Sequence, residues 1–379
     1  MKILHTADLH LGRQLNGLSL EEDHAVILDQ ILDALIATRA DILIIAGDIF
    51  DRAAPPATAV RQFNHFLSRV ASETEAAVAM IAGNHDSADR IGSMAVMTDR
   101  RRALIQGPLL RAAPPLVLED SHGPVAFSAL PFAYEYAARD CFSDPTIAMP
   151  QDVLSAQIAD ARALLPAGAR WVVIAHAFVA GGESGESERP LARVGGIETV
   201  SPETFAGAHY VALGHLHRPQ TVGGDHIRYS GSPLAFSFGE AHEQKSMTVV
   251  DLDGGGKVQT EIIAFSPPRA VRLLRGTLAE LLMQPPSHDI IKAVLTDTTP
   301  QIDPMRRLRE VFPNACQLSY ARDERAPELK FAISHAAPAD PMQVIADFVE
   351  QVRDEPLSNA ETDLVKVALA DLDTEENAA

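Results

Sequence analysis

The chain has 379 residues, a net charge of −19, 46% hydrophobic residues and 22% charged ones. That length can bury a large core and divides into more than one domain, and the composition excludes a disordered or fibrous protein. No run approaches the roughly 18 apolar residues that would span a bilayer. An apolar signal segment is not expected at this N-terminus either, because Asp8 stands where one would run. The expectation is therefore a cytoplasmic protein with no membrane association. Cys141 and Cys316 lie far apart and read as two reduced thiols. The acidity argues against a nucleic-acid partner, but it is uneven: residues 338–379 carry eleven Asp/Glu against two Lys/Arg. Basic clusters stand elsewhere, at Arg100-Arg101-Arg102, at Arg269, Arg272 and Arg275, and at Arg306, Arg307 and Arg309. Only a patch contiguous in three dimensions would make them a phosphate track, so charge alone does not decide the substrate.

In chain order, Lys2 to Thr6 predicts a strand that runs into Asp8-Leu9-His10. Glu21 to Arg39 predicts an amphipathic helix with Leu28, Ile31, Leu32, Leu35 and Ile36 on one stripe. Ile42 to Ala46 runs into Gly47-Asp48-Ile49-Phe50-Asp51; Val60, Phe63, Leu67 and Val70 mark a second helix; Ala77 to Ala82 runs into Gly83-Asn84-His85-Asp86. These are strand–helix–strand crossovers of a length suited to parallel pairing. Trp171 to Ala175 stops at His176, a Gly/Glu/Ser-rich loop follows over 181–196, and Tyr210 to Leu213 stops at Gly214-His215-Leu216-His217. Ile227 to Tyr229, Ser246 to Leu252 and Val258 to Phe265 then read as short strands of a second sheet packing on the first.

The tandem prolines of Ser266-Pro267-Pro268 mark a domain boundary. Beyond them a strand at Ala270 to Leu274, a helix near Thr277 to Met283, a strand at Ile290 to Leu295 and a helix near Pro304 to Val311 predict a small α+β domain. Residues 332–339 read as a linker. Asp340-Pro341 opens one helix as N-cap and first residue, and Ser358 with Glu361 opens another as a capping box. The expected division is 1–266, 267–335 and 336–379.

The five strand ends supply His, Asp and Asn but no Cys, which describes a site for two divalent cations. Asp8 and His10 stand two apart, as do His215 and His217, so an extended backbone would aim each pair to one side. Glycines before Asp48, Asn84 and His215 allow a tight turn. Asp48 is suited to bridge two cations, Asn84 offers a carbonyl oxygen, and His10, His176, His215 and His217 offer imidazoles. Mixed nitrogen and oxygen ligation suits Mn, Fe or Zn better than Mg. Histidines outside these strand ends, such as His5 and His24, read as structural.

Asp8-x-His10, Gly47-Asp48-x-x-Asp51, Gly83-Asn84-His85-Asp86, His176 and Gly214-His215-x-His217 resemble the calcineurin-like metallophosphoesterase family. The stretches Lys2 to Gly12, Tyr229 to Leu234 and Ala235 to Glu240, and the helix Ile302 to Arg309, resemble its bacterial SbcD-type nuclease subunits. The resemblance implies an α/β fold, a two-sheet β-sandwich flanked by helices, with a small α+β capping domain and C-terminal helices. It implies that Asp8, His10, Asp48 and His217 hold one metal and that Asp48, Asn84, His176 and His215 hold the other. His85 would then be the catalytic acid, Asp86 its orienting partner, and Asp51 a residue behind the ligands. The cations implied are two divalent ions, with Mn²⁺ favoured. The activity implied is hydrolysis of DNA phosphodiester bonds, at duplex ends and in single strands or hairpins. The implied partners are DNA and an SbcC-type coiled-coil ATPase that docks on the terminal helices, with a homodimer inside a heterotetramer. Two other readings stand beside this one: a stand-alone small-molecule metallophosphatase or cyclic-nucleotide phosphodiesterase, and a structural adaptor that has kept the fold.

Overall fold

The structure is a computed structural model describing residues 1–322, apart from 97, 189–191, 194–195 and 198, together with 342, 345–346, 349 and 356–366. Met1–Glu324 forms one compact unit and Arg325–Ala379 a second.

Two six-stranded sheets dominate the first unit. In one, the strands run in the order Val258–Ala264, Ser246–Leu252, Lys2–Thr6, Ile42–Ile45, Ala77–Ile81, Ala103–Gln106. The last four are mutually parallel, and Ser246–Leu252 lies antiparallel beside Lys2–Thr6. In the other, the order is Gln220–Thr221, Ile227–Tyr229, Tyr210–Gly214, Arg170–His176, Gly123–Leu130, Leu116–Asp120. The central strands read as unbroken aliphatic runs because both of their faces are covered. Alternate residues part accordingly. Ile3, Ile42, Ile44 and Ile81 face Val125, Phe127, Val172, Ile174 and Ala212 between the sheets. Leu4, Leu43 and Ile45 face Ile27, Ile31, Leu35, Phe63 and Phe66 of the helices outside. Each such buried aliphatic side chain contributes roughly 1.5–3 kcal/mol.

The helix Glu21–Thr38 buries Ile27, Leu28, Ile31, Leu32 and Leu35, while Ile36 of the expected stripe is 45% exposed. The expected second sheet is differently composed. Ser246–Leu252 and Val258–Ala264 extend the first sheet, and the second is built around Gly123–Leu130 and Arg170–His176. Main-chain pairing with Lys2–Thr6 buries Met247, Val249 and Val250, which explains why the late strands return to the first sheet.

A third sheet of parallel strands, Val271–Gly276, Ile290–Leu295 and Ala315–Tyr320, carries the helices Leu278–Leu282 and Pro304–Val311 on its own core of Leu274, Leu278, Leu281, Ile291, Leu308 and Phe312. Thr277 caps the first of these helices with Glu280 in a reciprocal box. Contacts to the body run through the Arg269–Asp23 ion pair and through Asn16, which donates to Gln317 at 3.2 Å. In the second unit, Ser358 and Glu361 form the expected capping box: Glu361 N donates to Ser358 Oγ at 3.3 Å and Ser358 N to the Glu361 carboxylate at 2.9 Å. The linker at 332–339 and the Asp340-Pro341 cap lie outside the described residues. Among the described residues no helix is long and apolar enough to cross a membrane.

Candidate metal centre

Parallel pairing brings the carboxyl ends of Lys2–Thr6, Ile42–Ile45 and Ala77–Ile81 level in one sheet, and those of Arg170–His176 and Tyr210–Gly214 level in the other. The segments leaving these ends meet where the sheets abut. Their backbones are stitched together: Asp8 N donates to Gly47 O at 3.1 Å, His10 N to Asp48 O at 3.0 Å and Leu11 N to Ile49 O at 2.9 Å. Asp8, His10 and Asp48 all occupy the left-handed region, with φ of 54°, 46° and 48°, and His215 has φ 107°. The extended geometry expected for Asp8-x-His10 and for His215 is therefore absent. Strained backbone, costing of order 1–3 kcal/mol per residue, aims these side chains instead. Gly83 lies so close to Asp48 that a Cβ there would strike its carboxylate and amide.

Seven donor-bearing side chains converge: Asp8, His10, Asp48, Asn84, His176, His215 and His217. His10 Nε2 lies 3.1 Å from His217 Nε2, and the donor atoms of Asp8, His10 and His217 lie within 4.8 Å of one another. Asn84 Oδ1 lies 3.0 Å from His176 Nε2 and 3.1 Å from His215 Nδ1. Asp48 Oδ2 stands between the two groups, 3.7 Å from His10 Nε2 and 3.5 Å from His176 Nε2. All but Asn84 are buried. Burial holds His10 and His217 well below the usual imidazole range and, with His176 beside it, takes His215 down to about 3. Two neutral imidazoles whose Nε2 atoms face each other can share a hydrogen bond only as opposite tautomers, whereas a cation takes both lone pairs. Ligands about 2.1 Å from an ion stand roughly 3 Å apart. The donor set fits divalent cations.

His85 presents its ring differently. Its Nδ1 lies 2.9 Å from Asp51 O, which can only accept, so Nδ1 carries a proton and Nε2 faces Asp48 Oδ2 at 4.0 Å. The Asp86 carboxylate does not orient that ring, as the sequence suggested. It accepts from Ile49 N at 3.0 Å, Phe50 N at 2.9 Å and Gly83 N at 3.0 Å, tying two of the loops together. Asp51 Oδ1 lies 3.8 Å from His10 Nδ1 and accepts from Arg13 at 3.1 Å. Sequence reasoning passed over Arg13, Ser187, Glu188 and Phe236. Phe236 meets His10 and His217 edge-on at 5.1 and 5.4 Å, under the Arg13 guanidinium at 4.7 Å. Phe236 lay in a stretch already singled out, and Ser187 and Glu188 lay in the Gly/Glu/Ser-rich loop 181–196, whose composition gave no sign of their partner.

Burial depresses His176, but Asp48 and Asp8 more than offset it and raise it to about 9. Its Nδ1 lies 2.9 Å from Ala46 O, so the proton that a ligating cation must displace is the one on Nε2. Cation binding at pH 7.5 is expected to release at least one proton. From this group alone the affinity should rise about tenfold per pH unit below its pKa. Calorimetry of Mn²⁺ binding in buffers of different ionisation enthalpy measures the release; none at pH 7.5 would contradict the placement of His176.

A family model described as calcineurin-like phosphoesterase matches residues 1–219, and one described as Type 5 capsule protein repressor C-terminal domain matches 267–353. A curated relative from Staphylococcus epidermidis, the SbcD component of the nuclease SbcCD, is 28% identical over 374 residues, covering 98% of each chain. Among solved structures, TT1561 of Thermus thermophilus is 15% identical, covering 69% of this chain and 98% of that one at TM-score 0.38. GAP50, the anchor in the inner membrane complex of Plasmodium, is 9% identical, covering 84% and 96% at TM-score 0.37. Those two likenesses are too distant to carry an argument. The first family model spans more than half of the chain, including every strand end that feeds the cluster, and the chain belongs to the calcineurin-like phosphoesterase family.

Proposed function

We propose that this chain is the nuclease subunit of an SbcCD-type complex, hydrolysing DNA phosphodiester bonds at duplex ends and in single strands or hairpins, in DNA repair, recombination and replication. The observation that carries the reading is similarity to a nuclease subunit along 98% of both chains, including the third sheet and the terminal segment. Asp8, His10, Asp48 and His217 are assigned to one cation, and Asp48, Asn84, His176 and His215 to the other, with Asp48 shared and Mn²⁺ as the working ion. When bound, two such cations supply Lewis acidity to the phosphoryl oxygens and acidify water near neutral pH.

The protein's own groups do the rest. Asp8 accepts from His215 N at 2.9 Å, and Asp48 Oδ1 accepts from His85 N at 2.9 Å, so each carboxylate also fixes the backbone of a neighbouring strand end. His85, anchored through Nδ1, keeps Nε2 toward the site; as an imidazolium it can hand its Nε2 proton to the departing sugar oxygen. The third sheet and its helices, within 267–335, are assigned as a cap beside the catalytic body. Residues 336–379 are assigned to docking an SbcC-type ATPase in a homodimer-based heterotetramer in the cytoplasm.

The test is Mn²⁺-dependent cleavage of a hairpin and of a blunt duplex, with and without the ATPase and ATP. A chain truncated after Ser334 should keep cleavage of simple single strands. It should lose co-purification with the ATPase and ATP-stimulated attack on duplex ends. Unchanged binding of the truncated chain to the ATPase would remove the docking assignment. Cleavage confined to small phosphodiesters would remove the nuclease reading.

A further inference from the structure

We propose that Ser187 and Glu188 are positioning residues for His217, and that the loop 183–188 is a clamp holding that ring in its ligating pose. The loop leaves the strand that ends at His176, and its stem is pinned. Tyr229 Oη donates to Ala177 O at 2.7 Å and accepts from Val179 N at 2.8 Å. Ala180 N donates to Val200 O at 2.8 Å.

From there the loop lies along the segment that follows His217. Glu183 N donates to Gln220 Oε1 at 2.8 Å, Gln220 Nε2 returns to Glu183 O at 2.9 Å, and Arg218 pairs with the Glu183 carboxylate. At the far end, Glu188 is only 7% exposed, and both of its oxygens are spent on backbone: Oε1 accepts from His217 N at 2.7 Å and Oε2 from Gly185 N at 2.6 Å. Ser187 Oγ lies 2.5 Å from His217 Nδ1.

The chemical reason for the clamp lies in the imidazole's tautomer. His217 Nε2 faces His10 Nε2 at 3.1 Å and can offer a lone pair to an ion only if the proton sits on Nδ1. When an ion takes Nε2 the proton sits on Nδ1, the Ser187 hydroxyl can accept it there, and that hydrogen bond fixes the ring plane. The peptide oxygen of His217 is held from the other side by Lys245 Nζ at 3.0 Å and Ser232 N at 3.0 Å. The main chain of His217 and its ring Nδ1 are thereby held, and Nε2 is left to face the site. Arg13 ties the same loop to the segment after Asp48, through Ser187 O at 3.5 Å and Asp51 Oδ1 at 3.1 Å. His215 faces Asn84 instead, and among the described residues no hydrogen bond joins it to the clamp.

This inference rests on His217 being a ligand, and the test separates the two. Mn²⁺ is titrated into the full chain by calorimetry, with the melting temperature of the metal-free protein measured in parallel. Ser187→Ala is expected to weaken one of the two bound Mn²⁺ ions by about 10- to 100-fold, leaving the other ion and the metal-free melting temperature unchanged. Ser187→Thr, which keeps the hydroxyl, should restore the lost affinity. Glu188→Gln, which sets an amide N–H₂ against one backbone N–H, should fall between them. Wild-type affinity for both ions in Ser187→Ala, with one ion lost in His217→Ala, overturns the clamp alone. Two ions retained in His217→Ala overturns the ligand assignment beneath it. Equal loss of both ions in Ser187→Ala with a lowered melting temperature reduces the loop to a structural element and also overturns the proposal.

Discussion

His85→Ala and His85→Gln are expected to slow hydrolysis of DNA by about 10²–10⁴-fold while both cations and DNA remain bound. The side chain touches the rest of the site through Nδ1 to Asp51 O at 2.9 Å and through an edge contact with His10 at 4.8 Å between ring centres. Neither contact uses the Nε2 that faces the cluster. The hydrogen bond that links this segment to Asp48 is made by the main-chain N–H of residue 85, and every replacement except proline keeps it. Removing the imidazole therefore subtracts a proton donor and leaves the donor set in place. Single-turnover cleavage of a labelled hairpin, with metal content measured on the same preparation, separates the two effects. A fall in bound metal that parallels the fall in rate would place His85 among the ligands instead.

The donor cluster was legible because the chemistry demands particular residue types at strand ends, and strand ends announce themselves through four- to six-residue aliphatic runs. The same logic recovers helix Pro304–Val311 and strand Ile290–Leu295 at their observed bounds. It was blind to Leu116–Asp120 and Gly123–Leu130. The first is an edge strand with exposed positions, and the second opens on Gly123-Pro124 and carries a buried Ser128, so neither reads as a clean run. The pairing of Ser246–Leu252 with Lys2–Thr6 joins residues more than 240 positions apart, and no local pattern encodes such a partner. Asp86 illustrates a different limit. Its neighbour in sequence is His85, but its carboxylate turns away to three backbone N–H groups, and only coordinates can reveal that choice. Ser187 and Glu188 belong with it, since their partner His217 lies about 30 residues further along.

Asp48→Asn is expected to weaken both cations together, by about a hundredfold or more, and to abolish hydrolysis with them. The substitution keeps Oδ1 to accept from His85 N and keeps the side chain's size, so it removes charge and little else. That charge is shared. Asp48 Oδ2 lies 3.5 Å from His176, 3.7 Å from His10 and 4.0 Å from His85, reaching into both donor groups. Burial alone would push the Asp48 carboxyl up, yet these three imidazoles hold it well below the ordinary carboxylate range. A metal-free readout follows from the same contact. His176 stands at about 9 because Asp48, helped by Asp8, outweighs burial. Its folded value thus lies above its unfolded one, and the stability it contributes is full below about pH 6.5 and fades as the pH climbs through about 9. Without the Asp48 charge, burial gains the upper hand, the imidazole shifts down, and that window of pH-dependent stability narrows. An NMR titration of the His176 ring follows the shift, and urea unfolding across pH 6 to 10 follows the stability. One Mn²⁺ still held at wild-type affinity in Asp48→Asn would end the bridging assignment. A His176 that kept its raised pKa would show that Asp8, and not Asp48, governs its proton.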